Sequence, residues 1–124
     1  MAKKILVGDD EPNIIKLLES RLKSNGYDVI NASDGNSCFK KAITEKPDLV
    51  LLDIIMPGLN GFEVCKRLKE NDKTKDIPVI MLTALAGEKD LSKGLEEGAN
   101  CFIIKPFSAV DLLHEIKTAM QDKK

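Results

Sequence analysis

Residues 48–53 read Asp-Leu-Val-Leu-Leu-Asp, an unbroken branched apolar run closed at each end by a carboxylate. So short a run, with no polar residue at alternate positions, suits a strand covered on both faces, as strands of a parallel sheet are. Three further stretches have the same character: 4–8 (Lys-Ile-Leu-Val-Gly), 78–83 (Pro-Val-Ile-Met-Leu-Thr) and 100–105 (Asn-Cys-Phe-Ile-Ile-Lys). Residues 27–32 (Tyr-Asp-Val-Ile-Asn-Ala) are more polar and less regular, as a short edge strand would be.

Helical patterns lie between these runs. Ile14, Ile15, Leu18 and Leu22 form one apolar stripe, Phe39, Ala42 and Ile43 a second, Val64, Cys65 and Leu68 a third, and Leu112, Leu113, Ile116 and Met120 a fourth. Pro12 is placed for a first helical turn, and Asn60 with Glu63 and Ser108 with Asp111 have capping-box spacing. Gly26 and Gly98 stand where helices should stop. The segment 87–98 is a weaker helix, anchored by Leu91 and Leu95, with Gly94 inside it at a cost of about 1 kcal/mol relative to Ala. All five prolines (12, 47, 57, 78 and 106) fall at element boundaries. The order is β then α, five times over, which predicts a three-layer α/β domain: a doubly wound, five-stranded parallel sheet with five helices and right-handed crossovers.

The composition bounds the rest. A chain of 124 residues, 43% hydrophobic and 31% charged, is expected to form a single domain over 1–124. With 19 Lys+Arg against 20 Asp+Glu and a net charge of -1, it has no concentrated basic face for direct nucleic acid binding. No apolar run approaches the ~20 residues of a membrane span, and the N-terminus does not read as a signal peptide, so the expected location is cytoplasmic. Cys38, Cys65 and Cys101 are odd in number and not spaced as CxxC, which points to reduced, buried thiols. His114, the single histidine, sits beside the last apolar stripe as a partly exposed structural residue, and Lys123 and Lys124 form a solvated tail.

In open α/β sheets the binding crevice lies beyond the carboxyl ends of the strands. Those ends carry Asp9, Asp10 and Glu11 after the first run, Asp53 after the third, Thr83 after the fourth and Lys105 after the fifth. Asp10 and Asp53 are 43 residues apart, Asp53 and Thr83 30, and Thr83 and Lys105 22, the spacing of successive βα units, so one end of the sheet gathers them. Taken singly, each is an ordinary strand-end or cap residue: Asp10 could cap the first helix, Asp53 could open a turn, Lys105 could be solvated. Taken together they suit phosphoryl transfer. Like-charged carboxylates ~4 Å apart repel by about 4 kcal/mol per pair at an effective dielectric near 20, so a hard divalent cation such as Mg²⁺ is the natural partner. Lys105 offers a positive charge and Thr83 a hydroxyl to a phosphoryl group, and a carboxylate in such a setting can itself be the nucleophile.

Lys4-Ile5-Leu6-Val7-Gly8-Asp9-Asp10-Glu11-Pro12, then Asp48-Leu49-Val50-Leu51-Leu52-Asp53-Ile54-Ile55-Met56-Pro57 leading to Gly61, then Val79-Ile80-Met81-Leu82-Thr83-Ala84, and finally Lys105-Pro106-Phe107, resemble the receiver domain of two-component response regulators over the whole chain. The resemblance, to single-domain receivers of the chemotaxis type, implies a flavodoxin-like fold with strand order 2-1-3-4-5. It implies that Asp53 is the phosphoacceptor, phosphorylated from a phosphohistidine on a sensor histidine kinase or phosphotransfer protein. Asp10 is implied as a direct Mg²⁺ ligand and Asp9 as a water-mediated one, with Asp53 and the backbone carbonyl of Ile55 completing the protein's share. Thr83 matches the switch hydroxyl, Lys105 the lysine that pairs with the phosphoryl group before a cis bond to Pro106, and Phe102 the aromatic switch. The implied output is a changed face, made by the 87–98 segment, the fifth strand and the last helix, that binds a downstream protein. The chain would be a phosphoacceptor that assists its own phosphotransfer and slow dephosphorylation rather than a conventional enzyme, monomeric or dimerising on phosphorylation.

Two departures from the family pattern stand out. Gly8 occupies a position where an apolar branched residue is usual, which frees the backbone beside the acidic pair. Ile55 and Leu85 are apolar where the approach of the hydrolytic water is flanked, which implies a long-lived phosphoryl group. Among other functions, a dehalogenase-like phosphatase needs a second Asp two residues after its nucleophile, and position 55 is Ile. A flavin carrier needs a Ser/Thr/Gly-rich loop after the first strand, where Asp9, Asp10 and Glu11 would repel a phosphate. A receiver within a longer regulator, carrying a DNA-binding or enzymatic output, remains the alternative context. Only Gln-Asp-Lys-Lys follows Met120 here.

Overall fold

Each apolar run forms a strand: β1 (Lys4–Gly8), β2 (Asp28–Ala32), β3 (Leu49–Asp53), β4 (Val79–Thr83) and β5 (Cys101–Ile104). The computed structural model describes residues 3–53, 61–83, 101–104 and 108–121. Every strand pairing is parallel, and the order is β2-β1-β3-β4-β5. This is the flavodoxin-like topology, with β2 at the edge as its polar pattern predicts. Among the described residues there are four helices: α1 (Pro12–Ser24), α2 (Gly35–Glu45), α3 (Gly61–Glu70) and α4 (Ala109–Gln121). The helix expected over 87–98 lies outside the described residues, as do Asn60 and Gly98. No helix among the described residues is long and apolar enough to cross a membrane.

Strand alternation divides the core into two layers. Ile5 and Val7, Leu49 and Leu51, Ile80 and Leu82, and Ile103 face Leu18 and Leu22 of α1 and Leu112, Ile116 and Ala119 of α4. Leu6, Val50 and Leu52, and Val79 and Met81 face Cys38 and Ala42 of α2 and Phe62, Val64, Cys65 and Leu68 of α3. The continuous apolar runs thus supply both faces at once. On α2 the stripe is turned slightly from its expected position: Cys38 and Ala42 are fully buried, and Phe39 packs partly buried against the same cluster. The helix starts at Gly35, so positions 35, 38 and 42 share the inward face.

Local chemistry sets the ends of the helices. Pro12 opens α1. That helix closes at Asn25 and Gly26, where Gly26 adopts φ 87 and the Tyr27 N–H returns to the Leu22 carbonyl at 3.1 Å. Asp34 caps α2, its Oδ1 accepting from the Ser37 N–H at 2.8 Å and its Oδ2 from the Ser37 hydroxyl at 3.0 Å. These two bonds hold its carboxyl below the usual carboxylate range. Ser108 Oγ accepts from the Asp111 N–H at 3.1 Å, the contact its spacing predicts. After α3, the buried Thr74 hydroxyl donates to the Leu68 carbonyl at 2.7 Å, and Lys69 Nζ donates to the Ile77 carbonyl at 2.7 Å.

The open side of β2 is covered by side chains. Asn31 Nδ2 donates to Glu19 Oε1 at 2.7 Å, and Lys41 Nζ donates to the Asn31 carbonyl, so the edge carries charge where it would otherwise offer free backbone groups. Cys38 and Cys65 are buried, as expected, and burial pushes the Cys38 thiol up from its ordinary 9.0 to about 12. His114 lies exposed on α4.

Candidate functional site

Asp9 and Asp53 extend the alternation of their strands by one step beyond the apolar part. Asp53 follows Leu49 and Leu51, and Asp9 follows Ile5 and Val7, so both carboxylates continue the sheet face that packs on α1 and α4. β1 and β3 are neighbours paired from Ile5↔Leu49 to Gly8↔Leu52, which brings the two strand ends side by side. The ligand oxygens of Asp9, Asp10 and Asp53 all lie within 4.8 Å of one another.

The three carboxylates are held differently. The Asp9 N–H donates to the Ala32 carbonyl at 3.1 Å, which adds one rung to the β1–β2 ladder, and Asp9 is fully buried. Its Oδ1 accepts from the Glu11 N–H at 2.9 Å, which fixes the direction of the carboxylate. Asp53 is 7% exposed at the tip of β3, and Asp10 is exposed on the turn into α1. Asp10 does not cap that helix: the N-cap is Glu11, in an extended conformation (φ -95, ψ 112), with no side-chain cap bond. The anchor formed by the Glu11 amide is the one functional contact the sequence reading lacks. Its signal is Pro12, which places the preceding residue, Glu11, at the N-cap.

This donor set fits a hard divalent cation. It is all oxygen and all anionic, with one member facing water, and Mg²⁺ favours one or two carboxylates with several waters. An octahedral Mg²⁺ with bonds of about 2.1 Å spans about 4.2 Å from ligand to ligand across the ion, so carboxylates already gathered this closely need little movement to share one.

The remaining site residues are located only in part. Thr83 ends β4, paired with Ile104, and Phe102 lies in β5 opposite Met81. Both therefore stand on the strands expected to carry them. Ile55, Leu85, Lys105 and Pro106 lie outside the described residues.

The family model for the response regulator receiver domain matches residues 5–117. Over 121 residues the chain is 48% identical to the alkaline phosphatase synthesis transcriptional regulatory protein PhoP of Bacillus subtilis, covering 98% of this chain and 50% of PhoP, so it spans about half the length of that relative. Among solved structures it resembles the chemotaxis protein CheY4 of Vibrio cholerae, with a TM-score of 0.91, 29% identity, and 96% of this chain and 99% of that one covered. It also resembles the receiver domain of the sensor histidine kinase PA1611 of Pseudomonas aeruginosa, with a TM-score of 0.90, 27% identity, and 98% and 99% covered. That structure has a magnesium ion coordinated in its active-site cleft. Receiver domains are phosphorylation-dependent signalling domains that work between histidine kinases or phosphotransfer proteins and downstream effectors. The fold, the acidic cluster at its carboxyl edge and the match along nearly the whole sequence agree: the chain belongs to the response regulator receiver domain family.

Proposed function

We propose that this chain is a signalling switch in which Asp53 accepts a phosphoryl group from the phosphohistidine of a sensor histidine kinase or phosphotransfer protein. The observation that carries the reading is the convergence of Asp9, Asp10 and Asp53 at one end of the sheet. An Asp53 carboxylate oxygen forms the new bond to phosphorus as the bond from phosphorus to the histidine nitrogen breaks, leaving an aspartyl phosphate. Position favours this step, since the tip of β3 holds a nearly buried carboxylate beside those of Asp9 and Asp10.

Asp10 would hold Mg²⁺ directly with Asp53 and the Ile55 backbone carbonyl, and Asp9, anchored by the Glu11 amide, would hold it through water. When bound, the ion offsets the repulsion among the carboxylates and neutralises charge on the phosphoryl oxygens. The Thr83 hydroxyl donates to a phosphoryl oxygen, Lys105 Nζ pairs with another, and Phe102 turns inward as Thr83 moves. The altered face, made by the 87–98 segment, β5 and α4, then binds a downstream protein, as a shift between two states that phosphorylation biases. Apolar Ile55 and Leu85 cannot orient a hydrolytic water, so self-dephosphorylation is slow and the signal long-lived. We place the protein in the cytoplasm, as a single domain over 1–124, monomeric or dimerising on phosphorylation and with no direct contact to nucleic acid or membrane.

A second context is favoured by one observation: the chain spans half of its PhoP relative. In that reading the same switch governs an output domain elsewhere in a longer regulator. The phosphoacceptor assignment is common to both and is tested by labelling with acetyl phosphate. Mg²⁺-dependent labelling of the native protein that disappears in Asp53→Asn supports it; undiminished labelling of the variant would refute it.

A further inference from the structure

The connection from α1 to β2 contains the dipeptide Asn25-Gly26, exposed at both residues and remote from the acidic site at the other end of α1. An asparagine followed by glycine is the sequence most prone to lose its side-chain amide, because a glycine nitrogen is the least hindered nucleophile that can reach Cγ. A Cβ built on Gly26 would meet nothing within 4 Å, so no neighbouring group crowds this residue. Two hydrogen bonds of the last helical turn oppose the reaction. Asn25 Nδ2 donates to the Arg21 carbonyl at 2.8 Å, and the Gly26 N–H donates to the Lys23 carbonyl at 3.1 Å. The Asn25 backbone, at φ -104 and ψ 16, also holds the Gly26 nitrogen away from the position eclipsing Cβ that ring closure requires.

We propose that Asn25-Gly26 is a site of spontaneous covalent modification, latched by the final turn of α1, at which the protein ages into aspartyl and isoaspartyl forms. When the turn frays, the Gly26 nitrogen gives up its proton to hydroxide and attacks Asn25 Cγ. The bond from Cγ to Nδ2 breaks and the nitrogen leaves as ammonia, taking a proton from water, so a five-membered succinimide forms. Water then adds to either ring carbonyl, and the ring opens to aspartate or to isoaspartate, whose backbone runs through the side chain.

The products disturb the turn that made them. A carboxylate replaces the donor to the Arg21 carbonyl and adds negative charge at the negative end of the helix dipole. The isoaspartyl form also lengthens the backbone just where the Tyr27 N–H returns to Leu22 and leads into the edge strand β2. Modification therefore loosens the α1–β2 connection.

The test is to incubate the purified chain at neutral pH and 37 °C, native and in urea, and to follow residue 25 by peptide mass spectrometry and isoaspartate methyltransferase labelling. Fragmentation separates it from the second Asn-Gly pair of the sequence, Asn60-Gly61. The latch predicts conversion in the native protein on the order of tenfold slower than in urea, since two hydrogen bonds must open first. Ser24→Gly, which weakens the last turn, should speed native conversion roughly two- to threefold without changing the rate in urea. Asn25→Ser should show no conversion at residue 25. Equal native and urea rates, or a native rate unmoved by Ser24→Gly, would overturn the latch. An intact Asn25 amide in the native protein after the urea sample has fully converted would overturn the site itself.

Discussion

The interior of β3 and its last residue are one step apart and serve opposite ends. Val50, Leu51 and Leu52 are fully buried between helices on both faces, and each adds to stability with no chemistry attached. Asp53, next along the chain, stands with two other carboxylates at oxygen separations within 4.8 Å, an arrangement that stores repulsion. β1 repeats the contrast, with Ile5, Leu6 and Val7 in the core and Asp9 at its tip. The apolar interior supplies the rigidity that lets the strand tips hold like charges together. Stability and function are segregated along the strand rather than between separate parts of the molecule.

Substitutions at the two places should therefore differ in sign. Leu51→Ala, in the fully buried layer against α1 and α4, should lower unfolding free energy by about 2–5 kcal/mol in urea titrations without changing the residues of the acidic site. Asp10→Asn should do the reverse, raising stability in the absence of divalent cations by on the order of 1 kcal/mol, because it removes one exposed like charge from the cluster. A lowered stability in that variant would break the contrast between strand interior and strand end.

The smallest effect is a pH dependence confined to the interior. The Cys38 thiol keeps its proton up to about 12 in the folded protein, against an ordinary value of 9.0. Its contribution is therefore fully present below the unfolded value and is lost as pH rises from there toward the folded one. Between pH 8 and 9.5 the native protein should lose under about 1 kcal/mol more than Cys38→Ala does, measured as the difference between their urea midpoints. An identical pH dependence in the two proteins would remove burial of this thiol as a contributor.

Much of this was legible in the chain because strand-core residues and site residues are consecutive in sequence. Leu49 to Leu52 announces a strand buried on both faces, and the abrupt change to Asp53 marks its functional end. The polar pattern of 27–32 likewise announces the edge, because only an edge strand tolerates such residues. What was not legible depends on contacts between distant segments or on single hydrogen bonds. The inward rotation of α2 to Cys38 follows from a helix start at Gly35 capped by Asp34, a residue with the same composition signal as any loop aspartate. The Glu11 amide that aims Asp9 is a backbone group and leaves no mark in residue type beyond the proline after it. That Asp10 and Asp53 share one end of the sheet follows from the βα spacing, but their side-by-side placement needs the β1–β3 pairing, which only the resemblance to receiver domains implies.

Thermal melting against Mg²⁺ reads out the repulsion among the carboxylates at the strand tips, which a bound divalent cation would relieve. In the native protein, a hundredfold excess over the dissociation constant should add ~2.7 kcal/mol of stability, and Asp10→Asn should lose most of that gain. A melting temperature that does not respond to Mg²⁺ in the native protein, or that responds equally in the variant, would contradict the account.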